Sequence, residues 1–271
     1  MTEQSGDIQK LLDIMTRLRD PDGGCPWDVE QTFASIVPHT IEEAYEVADA
    51  IASGDMAALK DELGDLLFQV VFYAEMAKEA GDFDFAAVVA AVSDKMVRRH
   101  PHVFADAHIK NAEAQTAAWE DQKHQERNAE NGSAGGNGAA ASALDGVITA
   151  LPALTRAFKL QKRAARVGFD WDTPGPVVGK VREELAEVEA EIEEADPERL
   201  KDELGDLLFC CVNLARKLEI DPETALRGGN AKFERRFRRM ETLLAADGFG
   251  FTDMHVDDVL ENYWTKAKLE E

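Results

Sequence analysis

The sequence predicts an all-α protein built from two helical-bundle domains. Long proline-free stretches keep apolar residues at helical spacing, sustained two-residue alternation is scarce, and the acidic segments carry helix-start signals. The two domains are copies of one another. Lys60–Phe68 and Lys201–Phe209 both read KDELGDLLF. Upstream, Glu42-Glu43-Ala44-Tyr45-Glu46 parallels Glu183-Glu184-Leu185-Ala186-Glu187, and Trp27-Asp28 parallels Trp171-Asp172. Downstream, Lys95, Arg98 and Arg99 echo Lys232, Arg235 and Arg236, and Trp119 and Trp264 close the copies. Two long copies mean duplicated domains and not a solenoid, whose units are shorter and more numerous.

Each element has a local reason. Thr40 and Glu43 make a capping-box pattern before the first acidic helix. Residues 55–81 hold no proline and read as its partner helix. The His100-Pro101 pair ends the following helix. In the second copy Asp196 is an N-cap with Pro197 in the first turn. Residues 128–142 read NAENGSAGGNGAAAS, too poor in large apolar side chains to offset their ordering entropy. The predicted layout is a domain over 1–127, a flexible linker over 128–142 and a domain over 143–271.

Composition removes several function classes. Among 271 residues, 53 acidic side chains face 30 basic ones, a formal charge of -23. A polyanion repels phosphate polymers and anionic membranes, so no nucleic-acid polymer and no membrane is expected as partner. No run of 18 apolar residues exists, and Met1–Gln9 is polar without a signal-peptide pattern. Cys25, Cys210 and Cys211 make no disulfide framework. A cytoplasmic protein with reduced thiols is expected.

The excess carboxylate has a pattern. With Glu62 at zero on a helical wheel, Asp65 lies about 60° to one side and Leu66 about 40° to the other. Ala58, Gln69, Phe72, Tyr73 and Met76 continue that stripe, and Lys60, Glu75 and Lys78 fall opposite. Glu203 and Asp206 share a stripe with Leu207, Cys210 and Leu214. Glu43 and Glu46 neighbour Val47 and Ala50, and Glu184 and Glu187 neighbour Val188. Antiparallel packing through these stripes would bring four carboxylates together in each domain. Acidic pairs at this spacing usually line a solvated face. Two pairs beside apolar stripes, repeated in both halves, favour convergence. Desolvated and unpaired, such groups either rise in pKa or hold a cation. Oxygen-only ligands suit Mg²⁺ or Mn²⁺ better than Zn²⁺. A di-iron or di-manganese bundle would need Glu-x-x-His where Glu-x-x-Asp stands.

Lys232, Arg235, Arg236, Arg238 and Arg239 form a basic island. Lys232, Arg235, Arg236 and Arg239 share one stripe beside an apolar one of Phe233, Phe237, Met240 and Leu244. A helix anchored by its phenylalanines would present a row of cations, and arginine forks suit phosphate oxygens. The ordinary alternative is a solvated basic face. Metal plus cations suits a polyphosphate. Neither a P-loop nor a Rossmann glycine fingerprint is present.

Glu-Glu-x-x-Glu, followed after sixteen residues by Glu-x-x-Asp within KDELGDLLF, resembles the MazG family of nucleoside triphosphate pyrophosphohydrolases. The duplication and the segment Asn230–Phe237 are similar to its two-domain bacterial form. The resemblance implies an all-α dimer that hydrolyses nucleoside triphosphates to the monophosphate and pyrophosphate. It implies that Glu184, Glu187, Glu203 and Asp206 bind Mg²⁺, and that Glu43, Glu46, Glu62 and Asp65 match them in the first copy. It places Lys180, Lys201, Lys232 and Arg236 on the phosphates, Asp202 and Arg235 on the substrate, and Trp264 near the base. Lys60, Lys95 and Arg99 match in the first copy. Glu183, Glu184, Glu203 and Lys201 are the expected catalytic residues. Glu183 either holds a second metal or takes the proton, and the sequence leaves this open. His39 stands where the second copy has Lys180, and the first copy's basic stripe is shorter. The second copy is therefore expected to be the more active. Two alternatives stay open: a nucleotide-sensing or interaction module without catalysis, and a pyrophosphatase dedicated to dUTP, dCTP or phosphoribosyl-ATP.

Overall fold

A computed structural model describes residues 7–105, 111, 115, 142–194, 196–250 and 261–270. Among them every regular element is a helix. The chain divides into two compact units, Met1–Gln125 and Glu126–Glu271. Trp119 and the glycine-rich stretch 128–142, apart from its last residue, lie outside the described residues.

The first unit holds α1 (Ile8–Leu18), α2 (Pro26–Glu30), α3 (Phe33–Ser53), α4 (Met56–Ala80), α5 (Phe85–Arg99) and the single turn α6 (Pro101–Phe104). Caps written into the sequence set the boundaries. The side chains of Asp7, Thr32, Asp55 and Asp84 each accept from a first-turn backbone N–H, satisfying donors that the helix leaves unpaired. Gly54 and Gly81 end α3 and α4 at φ 73° and 78°, a backbone region that a side chain would strain.

One sequence expectation is corrected here. Helix α3 starts at Thr32, not at Thr40. Thr32 and Ser35 cap one another reciprocally, and the helix runs through Pro38. Proline lacks only one N–H, and Pro38 stands close enough to the N-terminus for the cap and packing to carry the turn. Thr40 Oγ1, inside the helix, donates to the Ile36 carbonyl at 3.2 Å and accepts from the Tyr73 hydroxyl at 3.0 Å. Thr32→Ala is expected to cost about 1 kcal/mol, read by urea denaturation, whereas Thr40→Ala leaves the helix start intact.

Helices α3 and α4 pack together, with α1 against α4. Met15, Ile36, Val71, Phe72 and Met76 form the core, with Leu11, Leu12, Phe68, Tyr73 and Phe85 around it. Arg19 lies over the Phe72 ring at 5.3 Å and pairs with both Glu79 oxygens at 2.7 and 2.6 Å.

The second unit holds α7 (Ala153–Arg166), α8 (Pro174–Glu194), α9 (Pro197–Lys217), α10 (Pro222–Ala246) and α11 (Glu261–Leu269). Asp196 caps α9 as predicted, accepting from Glu198 and Arg199. Helix α8 packs on α9 as α3 does on α4, and α7 packs on α9 as α1 does on α4. Met240, Leu244 and Tyr263 join α10 to α11, with Phe237 and Trp264 alongside. Phe233 is exposed, so the basic helix is anchored by Phe237, Met240 and Leu244 and not by both phenylalanines.

Candidate active site

The paired helices bring the predicted carboxylates together. In the first unit, oxygens of Glu43 on α3 and of Glu62 and Asp65 on α4 lie within 4.8 Å of one another. In the second, Glu184 and Glu187 on α8 and Glu203 on α9 do the same. The spacing explains this. Residues three or four apart share a helix face, and packing of the two faces opposes them.

Charge confirms the crowding. The Glu43 carboxyl is pushed up from its ordinary value by burial first, then by the charges of Glu46, Asp65 and Glu62. Glu62 rises by desolvation, then by Glu46 and Asp65. Glu46 thus acts on both neighbours, and all four predicted acids of the first unit interact. Glu187 rises by desolvation, then by Glu184, with Glu203 and Glu183 adding and Lys180 opposing. Asp206 lies outside the second trio, and its charge acts on the Cys210 thiol. That thiol is raised mainly by burial, and Cys25, Cys210 and Cys211 are free.

These shifts have a testable consequence. A carboxyl whose pKa is higher in the folded protein than in the unfolded chain opposes folding at neutral pH. The opposition fades as the pH falls through the folded value. Without divalent cations, the melting temperature should therefore rise as the pH is lowered from 7 toward the ordinary carboxyl value of 4.5. Glu187→Gln should raise it at pH 7, and circular dichroism in chelator reads both. A melting temperature that is flat with pH and unmoved by Glu187→Gln would contradict mutual repulsion.

The cations divide between two places. Lys180 Nζ is 2.8 Å from Glu184 Oε1 and 2.9 Å from Glu183 Oε1. Hydrogen bonds to Glu184 and Glu183 raise its pKa well above the ordinary lysine value. His39, its counterpart, stands 3.8 Å from Glu42 and edge-on to Trp27. Lys60 pairs with Asp61 at 3.4 Å. Lys201, Asp202, Lys232 and Lys95 are exposed, and Arg99 is half-buried. Arg235 and Arg236 line a cleft of about 630 Å³ with Arg239 and Glu270, and Arg239 pairs with Glu270 at 2.5 Å. Trp264 is half-buried, its ring 5.4 Å from that of Phe233. Lys180 thus sets its ammonium directly against the second trio and Glu183.

A second cavity, of about 590 Å³, opens beside Lys180, with Phe169, Trp171 and Phe209 in its wall. Sequence reasoning did not single out this pocket. Of its polar lining, Lys180 is a predicted phosphate contact, whereas Gln161, Asp170, Asn213 and Arg216 carry no motif.

Comparison with known proteins decides the family. The model of the MazG nucleotide pyrophosphohydrolase domain matches residues 31–104 and 174–240, which cover the acidic helix pair of each unit. The chain belongs to the MazG nucleotide pyrophosphohydrolase family. That family comprises hydrolases of phosphoric anhydrides. The chain is 54% identical to the nucleoside triphosphate pyrophosphohydrolase of Escherichia coli (strain K12), over 97% of this chain and 98% of that protein. It is 42% identical to the nucleoside triphosphate pyrophosphohydrolase/pyrophosphatase MazG of Thermotoga maritima, over 96% of this chain and 95% of that protein. A Mycobacterium tuberculosis protein named nucleoside triphosphate pyrophosphohydrolase is 35% identical over 59% of this chain and 46% of its own length. The MazG resemblance seen in the paired acidic motifs thus holds for the whole chain. No described helix is long and apolar enough to cross a membrane.

Proposed function

We propose that this MazG protein hydrolyses ribo- and deoxyribonucleoside triphosphates between the α- and β-phosphates, with Mg²⁺ or, in its place, Mn²⁺, and chiefly in its second unit. The observation that carries this reading is the second carboxylate trio, with Lys180 2.8 Å from one of its members. The donor set suits a hard divalent cation. It is all oxygen, and its acids are crowded enough to raise Glu187.

Glu184, Glu187 and Glu203, with Asp206 one turn along from Glu203, would hold the ion. Such an ion supplies neutralisation of phosphate charge and a more acidic water. The chain's own residues do the rest. Lys180 and Lys201 orient the triphosphate, and Asp202 flanks Lys201. Glu183, 2.9 Å from Lys180 Nζ, accepts the proton of the attacking water. Lys232, Arg235 and Arg236 neutralise the departing pyrophosphate, and Trp264 stands near the base. Glu43, Glu46, Glu62 and Asp65, with Lys60, Lys95 and Arg99, form the weaker counterpart in the first unit. The protein acts as a homodimer. Leu185, Leu204 and Leu208 are exposed on α8 and α9, and association would cover them. A cytoplasmic setting with reduced thiols belongs to the same reading.

The deciding experiment incubates the full chain with a panel of ribo- and deoxy-triphosphates and Mg²⁺, resolving products by phosphorus NMR. Monophosphate and pyrophosphate are expected from most of the panel. Orthophosphate as the only phosphate product would move the cleavage site and overturn the reading. Turnover of one triphosphate alone would leave the dedicated enzyme, and binding without turnover would leave the sensor.

A further inference from the structure

The carboxylate seam of the second unit continues past the trio into an ion pair. The antiparallel register that brings Glu187 on α8 near Glu203 on α9 sets Glu191, four residues further on, against Arg199, four residues back. Arg199 Nη2 stands 2.6 Å from Glu191 Oε1. The pair lies beside the turn, since α8 ends at Glu194 and α9 begins at Pro197. In the first unit the same steps from Glu46 and Glu62 reach Ala50 and Ala58. Ala50 is buried and Ala58 half-buried, so that helix pair closes there without charge.

As a stabiliser of the fold the pair is poor. Glu191 is 4% exposed, and its second oxygen, Oε2, is buried with no hydrogen-bond partner. A buried carboxylate held on one side only recovers little of its desolvation cost. Each charge also opposes its own helix dipole. Glu191 stands in the last turn of α8, at the negative end, and Arg199 in the first turn of α9, at the positive end. Neither helix gains from its own charge. What the pair does supply is an attraction between α8 and α9, one turn from a repulsion. Glu187 is pushed up by desolvation and then by neighbouring acids, with Glu203 acting on it across the helix pair. Without a cation, therefore, Glu187 and Glu203 drive the two helices apart.

We infer that Glu191 and Arg199 are positioning residues for the second unit's carboxylate site: their ion pair locks α8 and α9 in the register that brings Glu187 to Glu203, and so keeps the trio assembled for a divalent cation. The inference rests on the reading of the trio as a metal site. A site already assembled spends none of the ion's binding energy on closing the helix pair. Where the closed arrangement is only fractionally populated, apparent affinity falls by that fraction. The first unit, with Ala50 and Ala58 at this rung, has its acids without the lock and holds a cation more weakly. Neither residue of the pair touches substrate or the reacting atoms, so the lock acts on metal affinity and not on the chemical step.

The test titrates Mn²⁺ into the full chain by isothermal calorimetry, with Glu62→Ala as background to remove the first unit's site. Glu191→Gln and Arg199→Gln should each weaken Mn²⁺ binding about 10-fold, the usual size of a lost support behind metal ligands. Arg199→Lys keeps the charge and should stay within about threefold of the background. In parallel, the Mg²⁺ concentration that gives half-maximal pyrophosphate release should rise about 10-fold in both glutamine variants, with the maximal rate within about twofold. A purely structural pair would lower the melting temperature in chelator and leave Mn²⁺ affinity unchanged, and that result overturns the lock. Should Glu191→Gln fail to fold by circular dichroism, Arg199→Gln, at the exposed end of the pair, decides alone. Glu203→Ala in the same background separates the two readings. Mn²⁺ binding that survives it would overturn the metal site and the lock with it. Binding lost there but unchanged in Arg199→Gln overturns the lock alone.

Discussion

Glu203→Ala should lower pyrophosphate release about a thousandfold while leaving the second unit folded. That loss corresponds to about 4 kcal/mol of transition-state stabilisation. The two halves of the expectation have one cause. Glu203 stands within 4.8 Å of Glu184 and Glu187, and Glu187 is raised partly by its charge. Removing Glu203 therefore relieves repulsion in the empty site, and folding has no reason to suffer. Catalysis has every reason to suffer, because Glu184, Glu187 and Asp206 alone would hold a divalent ion more weakly than the four acids together. Steady-state pyrophosphate release and a melting curve in chelator give the two readouts together. Glu62→Ala is the control. The first unit has His39 in place of Lys180 and Phe72 in place of the pocket, so this variant should keep most of the activity. Loss confined to Glu62→Ala would transfer the active site to the first unit. Normal release by Glu203→Ala together with Glu184→Ala would remove the trio from the chemistry altogether.

What the sequence disclosed follows the range of the forces involved. The helices around the acidic motifs were legible because their signals are local: apolar spacing, the proline-free run 55–81 and Asp196 as a cap. The carboxylate convergence was legible because a repeat displays it twice, and chance does not duplicate a spacing. Thr40 was misread because its pattern is only a four-residue coincidence, and a better cap two turns earlier had already started the helix. The pocket was illegible for a different reason. Apart from Lys180 its polar wall carries no motif, and Gln161, Asp170 and Arg216 meet only through packing of α7, the Gly168–Asp170 turn and α9. Its sequence traces are differences between the copies, where attention goes first to identities: ten and thirteen residues after Glu62 the first copy has Phe72 and Glu75, and at the same distances after Glu203 the second has Asn213 and Arg216. Phe233 shows the same limit. Its place on an apolar stripe suggested burial, yet the stripe is wider than the face that α11 covers.

That difference between copies carries the second large effect. Phe72→Ala is expected to destabilise the first unit by about 3–5 kcal/mol, the usual cost of truncating a fully buried phenylalanine. Phe72 is 1% exposed, meets Phe68 edge-on at 6.0 Å and lies under the Arg19 guanidinium at 5.3 Å. Truncation removes the transfer energy of the ring, leaves a void between α1, α3 and α4, and strips Arg19 of its aromatic partner. Arg19 keeps Glu79, so the ion pair survives and the loss is chiefly packing. Asn213→Ala, at the equivalent position, should cost only about 1 kcal/mol, because it gives up one hydrogen bond from Arg216 and no core volume. Urea denaturation followed by far-ultraviolet circular dichroism should show unfolding of the first unit moving to lower urea in the first variant and little movement in the second. Equal costs at the two positions would mean that Asn213 is as much a core residue as Phe72.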